Sequence, residues 1–311
     1  MRVAGDSNMK RGRFAICLRA CYDCKRSSAC ALFIMTSTIE IRELKTMAEL
    51  DATVALQRAV WGMRDVEVSS PHTLRAIVHS GGAVFGAMLQ GALVGFCFGF
   101  AALREGELLL WSHMAAAHPD FQGQGIGFRL KQAQRTWALK RGYRWMAWTF
   151  DPLQAGNANF NFNRLGVTAR HYSVDHYGEM QDGLNAGLAS DRLEAQWELE
   201  APHVVALAQG RQRGAGAGLA EARPLVWVDV EGALQIDAWT AIDQAHFAIE
   251  IPPDIAALKQ GDVERAKTWQ LLVRQAMTTL FDAKYAVTGF ERSAGKAWYI
   301  VTRESQPHPP S

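Results

Sequence analysis

The chain has 311 residues, which is the length of about two domains. Its composition of 49% hydrophobic and 21% charged residues is typical of a folded protein in water and excludes the disordered and fibrous classes. The net charge of +2 is unevenly distributed, because residues 1–35 hold seven basic and two acidic side chains, leaving 26 basic and 29 acidic ones elsewhere. This mildly acidic body lacks the basic surface that nucleic-acid binding requires, so we expect no nucleic acid as a partner.

The sequence offers neither a membrane span nor a disulfide framework. The most hydrophobic run, Gly91 to Leu103, is too short and too rich in glycine to cross a bilayer, and it predicts a buried strand. Four of the five cysteines fall within residues 1–35, which leaves only Cys97 in the body of the protein. We therefore expect no membrane partner and a reducing, cytoplasmic location.

Residues 1–35 form a basic leader without helical or strand periodicity. This favours an unstructured leader or a start assigned too early, because Met35 stands just before the first predicted strand. The alternative is a zinc site, since four thiolates can complete a tetrahedral shell. Its ligands would be Cys17, Cys21, Cys24 and Cys30. We favour the first interpretation and assign no metal.

Regular secondary structure is predicted from Thr38 onward. Apolar spacing predicts a strand, two helices and three antiparallel strands, with limits Ile39–Leu44, Met47–Trp61, Pro71–His79, Ala83–Leu89, Leu93–Ala102 and Glu107–Ala117. A long helix, a strand and a short helix follow, at Gly125–Arg141, Trp145–Phe150 and Asn157–Leu165. Because a crossover through a helix places its two strands parallel, the sheet is predicted to be mixed and mostly antiparallel.

Beyond residue 200 a glycine-rich linker is predicted, followed by a smaller unit. Its strands and one helix are predicted at Leu225–Val230, His246–Ile251, Val263–Leu280, Tyr285–Phe290 and Trp298–Val301. The strand, helix, strand order of the first half recurs here, so a degenerate repeat is one interpretation. The predicted class is α/β (α+β), with a leader (1–35), a larger domain (36–200), a linker (201–224), a smaller α/β domain (225–303) and a tail (304–311).

The turn between the third antiparallel strand and the long helix carries the clearest functional signal. Residues 119–127 read PDFQGQGIG. A glycine-rich turn entering a helix leaves unpaired backbone N–H groups at the positive end of the helix dipole, which suits an anion such as a pyrophosphate. A P-loop is excluded because Phe128 and Arg129 stand where it needs Lys and Ser or Thr, and a dinucleotide fold because antiparallel strands come first.

The segment from Ile39 to Glu200 resembles the GNAT superfamily of acyl-CoA-dependent N-acyltransferases. Gln122, Gly125 and Gly127 match its signature of Gln or Arg, two residues, Gly, one residue, Gly or Ala. The order of the predicted elements matches too, and the run WTFDPL at 148–153 looks like a branch of predicted acetyltransferases. The resemblance implies a GNAT-like mixed sheet with flanking helices.

The resemblance also implies acetyl-CoA, or another acyl-CoA, as co-substrate. In the family the strand before the signature pairs with the pantetheine arm, and here that strand supplies Ala115, Ala116 and Ala117. The amides of the signature turn cradle the pyrophosphate in the family. This assigns Gln122, Gly123, Gln124, Gly125, Ile126 and Gly127. Asn157 completes the predicted cofactor-binding residues.

An amine that attacks a thioester must lose a proton, and the departing thiolate gains from an acid. We predict His113 as the base, because it shares strand parity with Ala115 and Ala117 and its ordinary pKa is about 6.5. Some members of the family carry a histidine at this position. The alternative is a core histidine bonded to a backbone carbonyl.

The tyrosine that commonly serves as the acid in the family is replaced by Phe162, which has no proton to donate. Either solvent supplies the proton or another tyrosine does, and Tyr172 and Tyr177 are the nearest, although each is also readily explained as structural. Asp151 is a candidate for holding the substrate ammonium or relaying its proton, or else an Asp-Pro turn residue. The predicted catalytic residues are therefore His113, Tyr177, Tyr172 and Asp151.

These patterns predict an enzyme that moves an acetyl or other acyl group from acyl-CoA to the primary amine of a small molecule. Two alternatives stay open: transfer of a longer group such as succinyl to an amino acid, and a CoA-binding sensor or scaffold without turnover. The C-terminal half is expected either to close over the amine site or to form the surface of a homodimer.

Overall fold

The computed structural model describes residues 38–104, 106–178, 180, 187–211, 218–237 and 244–304. The leader with its alternative zinc site lies outside the described residues, as does the tail beyond residue 304. Among the described residues, no cluster of His, Cys, Asp and Glu is arranged to hold a metal ion. Every helix in that part of the chain is too short or too polar to cross a membrane.

The first half is built on a seven-stranded sheet flanked by helices on both faces. Its elements in chain order are β1 (Glu40–Glu43), α1 (Met47–Trp61), α2 (Pro71–His79), β2 (Ala83–Leu89), β3 (Ala92–Arg104), β4 (Glu107–Ala117), α3 (Ile126–Leu139), β5 (Trp145–Phe150), α4 (Ala155–Asn159), a π-helical turn (Phe160–Leu165), β6 (Tyr172–Ser173) and β7 (Arg192–Glu198). The strand order is β1-β2-β3-β4-β5-β7-β6. Only β4 and β5 pair in parallel, which confirms the predicted mixed sheet.

Helices α1 and α2 begin where the sequence supplies strong caps. Thr46 and Glu49 form a reciprocal capping box at the start of α1, and Ser70 caps α2 with Pro71 in its first turn. Gly62, with φ of 65°, ends α1 in the left-handed conformation that glycine tolerates best. The two helices pack on one face of the sheet in a core centred on Phe96 and Phe98, while α3 packs on the other face.

A β-bulge in β4 shapes the centre of this sheet. Phe98 pairs with Met114 and Phe100 pairs with Trp111, so Ser112 and His113 together face one residue of β3. That residue is Gly99, where an added Cβ would lie 2.8 Å from the Trp111 carbonyl oxygen and 2.9 Å from the Gln134 amide nitrogen. The bulge therefore requires glycine at position 99.

Strands β4 and β5 pair over only two residues of each strand. The paired residues are Leu110 with Met146 and Trp111 with Ala147, just before the bulge. Beyond Trp111 the two strands part, although β4 continues to Ala117 and β5 to Phe150. The parted strands leave a gap in the middle of the sheet, directly after the bulge.

The second half forms a five-stranded sheet of order β11-β12-β10-β8-β9. Its elements are α5 (Pro202–Ala208), β8 (Arg223–Val228), β9 (Leu234–Ile236), β10 (His246–Ile251), α6 (Ile255–Gly261), α7 (Val263–Asp282), β11 (Tyr285–Ser293) and β12 (Lys296–Arg303). Strands β8 and β10 are parallel, and the other neighbours are antiparallel. The sequence does not predict α5, α6 or β9, because three to seven residues are too few to show a period.

Two further differences from the predicted elements concern helices. The start of the predicted linker is helical in α5, and residues 212–217 of that linker lie outside the described residues. The predicted helix Asn157–Leu165 begins earlier, as α4, and changes to a π-helical turn at Phe160. The Asn161 carbonyl ends this turn by accepting from the amides of Gly166 and Val167.

The proposed repeat between the halves is matched in element order and differs in strand pairing. In the first sheet α3 connects β4 to β5, and these two strands are neighbours. In the second sheet β12 lies between the corresponding strands, β10 and β11. The repeat therefore stays a prediction.

The two sheets share one hydrophobic core and direct backbone contacts. Ala169 and Val287 exchange two backbone hydrogen bonds of 3.0 and 2.9 Å, which joins the segment before β6 to β11. The rings of Phe162 and Tyr299 meet edge to face with centroids 5.8 Å apart. The second half therefore packs against the end of β5 and the turn that follows it.

Candidate active site

A cleft of about 760 Å³ lies where β4 and β5 part. Its walls come from both strands, from the first turns of α3, from the segment after α1 and from the segment after β6. Its lining includes Glu67, Ser112, His113, Ala115, Ala116, Ala117, Gly127, Lys131, Trp148, Thr149, Asp151, Asn157, Phe160, Tyr177 and Arg192. This volume lies within the range of about 300–1,000 Å³ that is typical of small-molecule sites.

Unpaired backbone amides stand at the start of α3. Gly123 and Gly125 have φ of 77° and 75°, and the turn they form brings the chain into the helix. The amides from Gly123 to Phe128 have no acceptor within the part of the chain that the structure describes. Unpaired donors at a helix N-terminus favour an anion, so the turn fits a diphosphate.

The predicted cofactor-binding residues in this turn divide into two groups. Gly127 lines the cleft, and a Cβ there would stand 3.7 Å from the Phe160 ring. Residues 122–126 form the turn just before it. The side-chain amide of Gln122 donates to the Ala117 carbonyl at 3.4 Å and ties this turn to the end of β4, while the Ile126 side chain is buried in the core.

The free edge of β4 borders the same cleft. The His118 amide bonds to the Val94 carbonyl, so the alternation of an antiparallel ladder directs the backbone groups of Ala116 toward β3. Those of Ala115 and Ala117 point the other way, where β5 has already parted from β4. This edge can pair with an extended ligand that carries amide groups. Asn157, at the start of α4, also lines the cleft.

His113 lies on the bulge, on the α1 and α2 face of the sheet. Its ring is 5.4 Å from the Phe98 ring and 6.1 Å from the Phe100 ring, centre to centre. Partial burial lowers the pKa of His113, which favours the neutral imidazole. No backbone carbonyl among the described residues accepts a bond from it, so the alternative of a carbonyl-bonded core histidine has no support.

Tyr177 and Asp151 also reach the cleft. The Tyr177 phenol lies 3.2 Å from the Thr149 hydroxyl, and the Arg192 guanidinium lies over its ring at 5.2 Å. Asp151 accepts a 2.8 Å bond from the Leu153 amide, as expected of a turn residue, and burial raises its pKa. The structure therefore brings His113, Tyr177 and Asp151 to one cavity.

Tyr172, unlike the other three predicted catalytic residues, lies outside the cleft. Its phenol donates a 2.7 Å hydrogen bond to Asp191, whose carboxylate also accepts two 2.9 Å bonds from Arg274. Burial, together with the negative charge of Asp191, raises the pKa of Tyr172 far above its ordinary value. Tyr172 does not line the cleft and serves to join β6, β7 and α7.

Lys131 lines the cleft and is not among the site residues that the sequence predicts. It lies on α3 and is only 3% exposed, although a lysine on an amphipathic helix is ordinarily solvated. Its ammonium donates a 2.8 Å hydrogen bond to the Ser112 hydroxyl and stands 3.5 Å from the centre of the Trp148 indole. Burial lowers the pKa of Lys131 to about 7. No pattern in the sequence separates Lys131 from the exposed lysines.

The family model described as "Acetyltransferase (GNAT) family" matches residues 49–166. No curated protein matches the chain. Solved structures similar in part include an aminoglycoside acetyltransferase from an uncultured soil metagenomic sample, at 20% identity over 39% of this chain and 84% of that one, with a TM-score of 0.36. The ribosomal-protein-S18-alanine N-acetyltransferase of Escherichia coli is similar at 17% identity over 52% and 94%, with a TM-score of 0.41.

The segment that the family model matches agrees with the geometry of the first sheet. The parted central strands, the bulge and the glycine turn before α3 all fall within or beside the matched segment. The expected co-substrate is consistent with the unpaired amides at that turn. Residues 49–166 thus match the model of the GNAT acetyltransferase family.

Proposed function

We propose that the protein transfers the acetyl group of acetyl-CoA to the primary amine of a small molecule by direct attack of the amine on the thioester. The observation that carries the proposal is the gap between β4 and β5. It connects unpaired helix amides on one side with titratable side chains on the other. A donor and an acceptor that enter from opposite faces of the sheet can meet there.

The donor side suits an acyl-CoA. Unpaired amides from Gly123 to Gly127 provide the donors that a diphosphate requires. The backbone edge at Ala115 and Ala117 offers hydrogen bonds to the amides of a pantetheine arm. The acyl-CoA, when bound, supplies a carbonyl carbon activated by its thioester, and the protein binds and orients it.

The acceptor side suits a cationic amine of modest size. Glu67 and Asp151 bring two carboxyl groups to the wall of the cleft. Hydrogen bonds from the side chain and the amide of Arg64 lower the pKa of Glu67, so this group is negative at neutral pH. The Glu67 carboxylate can therefore form a charge-assisted hydrogen bond with an ammonium substrate. The volume of the cleft favours a small molecule over a folded protein.

His113 is the residue that we assign as general base. The lowered pKa keeps the imidazole neutral near pH 7, and its ring nitrogens have no partner in the described chain. As the amine nitrogen bonds to the thioester carbon, its proton passes to His113, directly or through one water. The carbon–sulfur bond then breaks and the sulfur leaves as a thiolate.

The proposal is tested by mixing the purified full chain with acetyl-CoA and a panel of amino acids and polyamines. We expect release of free thiol together with an N-acetylated product of the expected mass. His113→Ala should lower kcat by about 10²-fold or more. His72→Ala, which removes an exposed histidine of α2 outside the cleft, should not. Binding of acetyl-CoA without thiol release for any amine would support a sensor and contradict the proposal.

A further inference from the structure

The ammonium of Lys131 is buried among neutral groups. Its partners are the Ser112 hydroxyl from β4 and the Trp148 indole from β5. The titratable group facing it from β3 is Cys97, a buried thiol whose pKa is raised to about 12, so it is neutral. Within the described ranges no carboxylate forms an ion pair with Lys131. Burying a cation without a counter-charge is costly, so its presence beside a cleft points to an anion that arises there.

Lys131 lies beside the position along β4 that the thioester end of a bound acyl-CoA would reach. The diphosphate cradle lies beside Gly127, and the free edge of β4 runs from Ala117 back to the bulge at Ser112. Those five residue steps span about 16 Å of strand, which is comparable with an extended pantetheine arm. An arm that follows this edge from the cradle brings its sulfur to the level of Ser112, and Lys131 is bonded to Ser112.

Lys131 and His113 lie on opposite faces of the sheet, on either side of the expected position of the thioester sulfur. Ser112 and His113 are consecutive residues of the bulge. The Ser112 side chain bonds to Lys131 and Gln134 of α3, whereas His113 packs near Phe98 on the face covered by α1 and α2. A group on the α3 face is therefore placed for the sulfur, while His113 is placed for the incoming amine.

We propose that Lys131 is the general acid that protonates the thiolate of coenzyme A as it leaves, an inference that rests on the proposed function. The attacking nitrogen forms its bond to the carbonyl carbon and loses a proton to His113. The carbon–sulfur electron pair stays on sulfur, and an N–H proton of the Lys131 ammonium passes to it. Lys131 is left as a neutral amine. Phe162, at the position of the family's usual acid, is fully buried and has no proton to offer.

Among the described residues, the hydrogen bonds of Ser112 offer no second route for this proton through the interior. Ser112 donates onward to the Gln134 carbonyl oxygen at 2.8 Å, and the Gln134 amide nitrogen has no partner among the described residues. The buried chain therefore ends at Gln134. Lys131 regains its proton from the cleft, after coenzyme A departs. The lowered pKa of Lys131 makes its ammonium a better proton donor than an ordinary lysine.

The experiment compares two variants of the full chain, Lys131→Met and Lys131→Arg, with wild type. Arginine keeps the charge and the donors but does not give up a proton at ordinary pH, because its pKa is above about 12. We expect both variants to lower kcat about 10²-fold while acetyl-CoA affinity by calorimetry changes far less. Lys140→Met removes a cation at the end of the same helix, and it should retain the wild-type kcat.

The pH profile provides the readout that a purely structural role would not move. Wild-type kcat should fall as Lys131 loses its proton above about pH 7, and this alkaline fall should be absent in Lys131→Met. A wild-type rate in Lys131→Arg, or an unchanged profile in a folded Lys131→Met protein, overturns the proposal while leaving acyl transfer intact. Absence of thiol release in wild type overturns the proposed function as well.

Discussion

The phenol of Tyr299, in the second sheet, donates a 2.6 Å hydrogen bond to the carbonyl of Pro152, directly after β5 in the first sheet. Tyr299 is fully buried, so this bond is shielded from water. Pro152 follows Asp151, which lines the cleft. The C-terminal half thus fixes the end of the strand that forms one wall of the candidate site.

Removing this hydroxyl tests the coupling between the halves. Tyr299→Phe should reduce the free energy of unfolding by about 1–3 kcal/mol, because the Pro152 carbonyl stays buried without its donor. Chemical denaturation measures the change. Tyr177→Phe serves as the control, since Tyr177 is 44% exposed and its loss should cost well under 1 kcal/mol. Equal effects in the two variants would contradict the assigned role of Tyr299.

The bulge predicts an unusually intolerant glycine. Gly99→Ala places a Cβ 2.8 Å from the Trp111 carbonyl oxygen, so it should destabilise the protein by about 1–3 kcal/mol. Gly156→Ala, in α4, meets no atom within 4 Å and should be neutral or slightly stabilising. Thermal unfolding of the two variants checks the difference, and a stable Gly99→Ala protein would show that the strand register is wrong.

The glycine turn predicts a separation between folding and binding. Gly125→Ala and Gly142→Ala introduce a side chain at nearly the same φ, 75° and 79°, with no atom within 4 Å in either case. Both should cost about 1–2 kcal/mol of stability. Only Gly125→Ala should weaken acetyl-CoA binding, because Gly142 lies beyond the opposite end of α3. Equal affinities by calorimetry would remove the turn from the cofactor site.

The burial of Lys131 predicts that the residue needed for activity lowers the stability of the folded protein. Its pKa is lowered from 10.5 to about 7 in the folded protein, so the unfolded chain binds this proton more readily. The free energy of unfolding therefore decreases as the pH falls from about 10.5 to about 7. Below about pH 7 the titration of Lys131 has no further effect on it. Lys131→Met removes this pH-dependent loss of stability. Each unit of difference between the folded and unfolded pKa corresponds to about 1.4 kcal/mol.

We accordingly expect Lys131→Met to gain up to a few kcal/mol over wild type at pH 6 and much less at pH 10. Denaturant unfolding at the two pH values measures both differences. A gain of the same size at both would show that packing, and not the buried charge, decides the effect.

The sequence predicts much of the first sheet because its elements are long and periodic. The limits of Met47–Trp61, Glu107–Ala117 and Trp145–Phe150 are confirmed residue for residue. The glycine turn is visible in sequence because its chemistry is local. Short elements such as α5 and α6 show too little periodicity, and no single-sequence pattern indicates that β12 lies between β10 and β11.

The site was less predictable because it depends on contacts distant in sequence. Lys131 is buried by Ser112 and Trp148, 19 and 17 positions away, and Tyr172 is held by Asp191 and Arg274. Neither relationship leaves a trace in local spacing. The domain limits, a homodimer and a cytoplasmic location stay predictions.

The most direct test of the central claim, that the amides before α3 hold the diphosphate of an acyl-CoA, is a calorimetric titration of the full chain. Coenzyme A and pantetheine, which lacks the diphosphate and the nucleotide, are compared under identical conditions. We predict saturable binding of coenzyme A and affinity for pantetheine lower by at least about 10²-fold, in keeping with lost charge-assisted hydrogen bonds of about 1.5–3 kcal/mol each. No binding of coenzyme A, or equal affinity for the two compounds, would contradict the account.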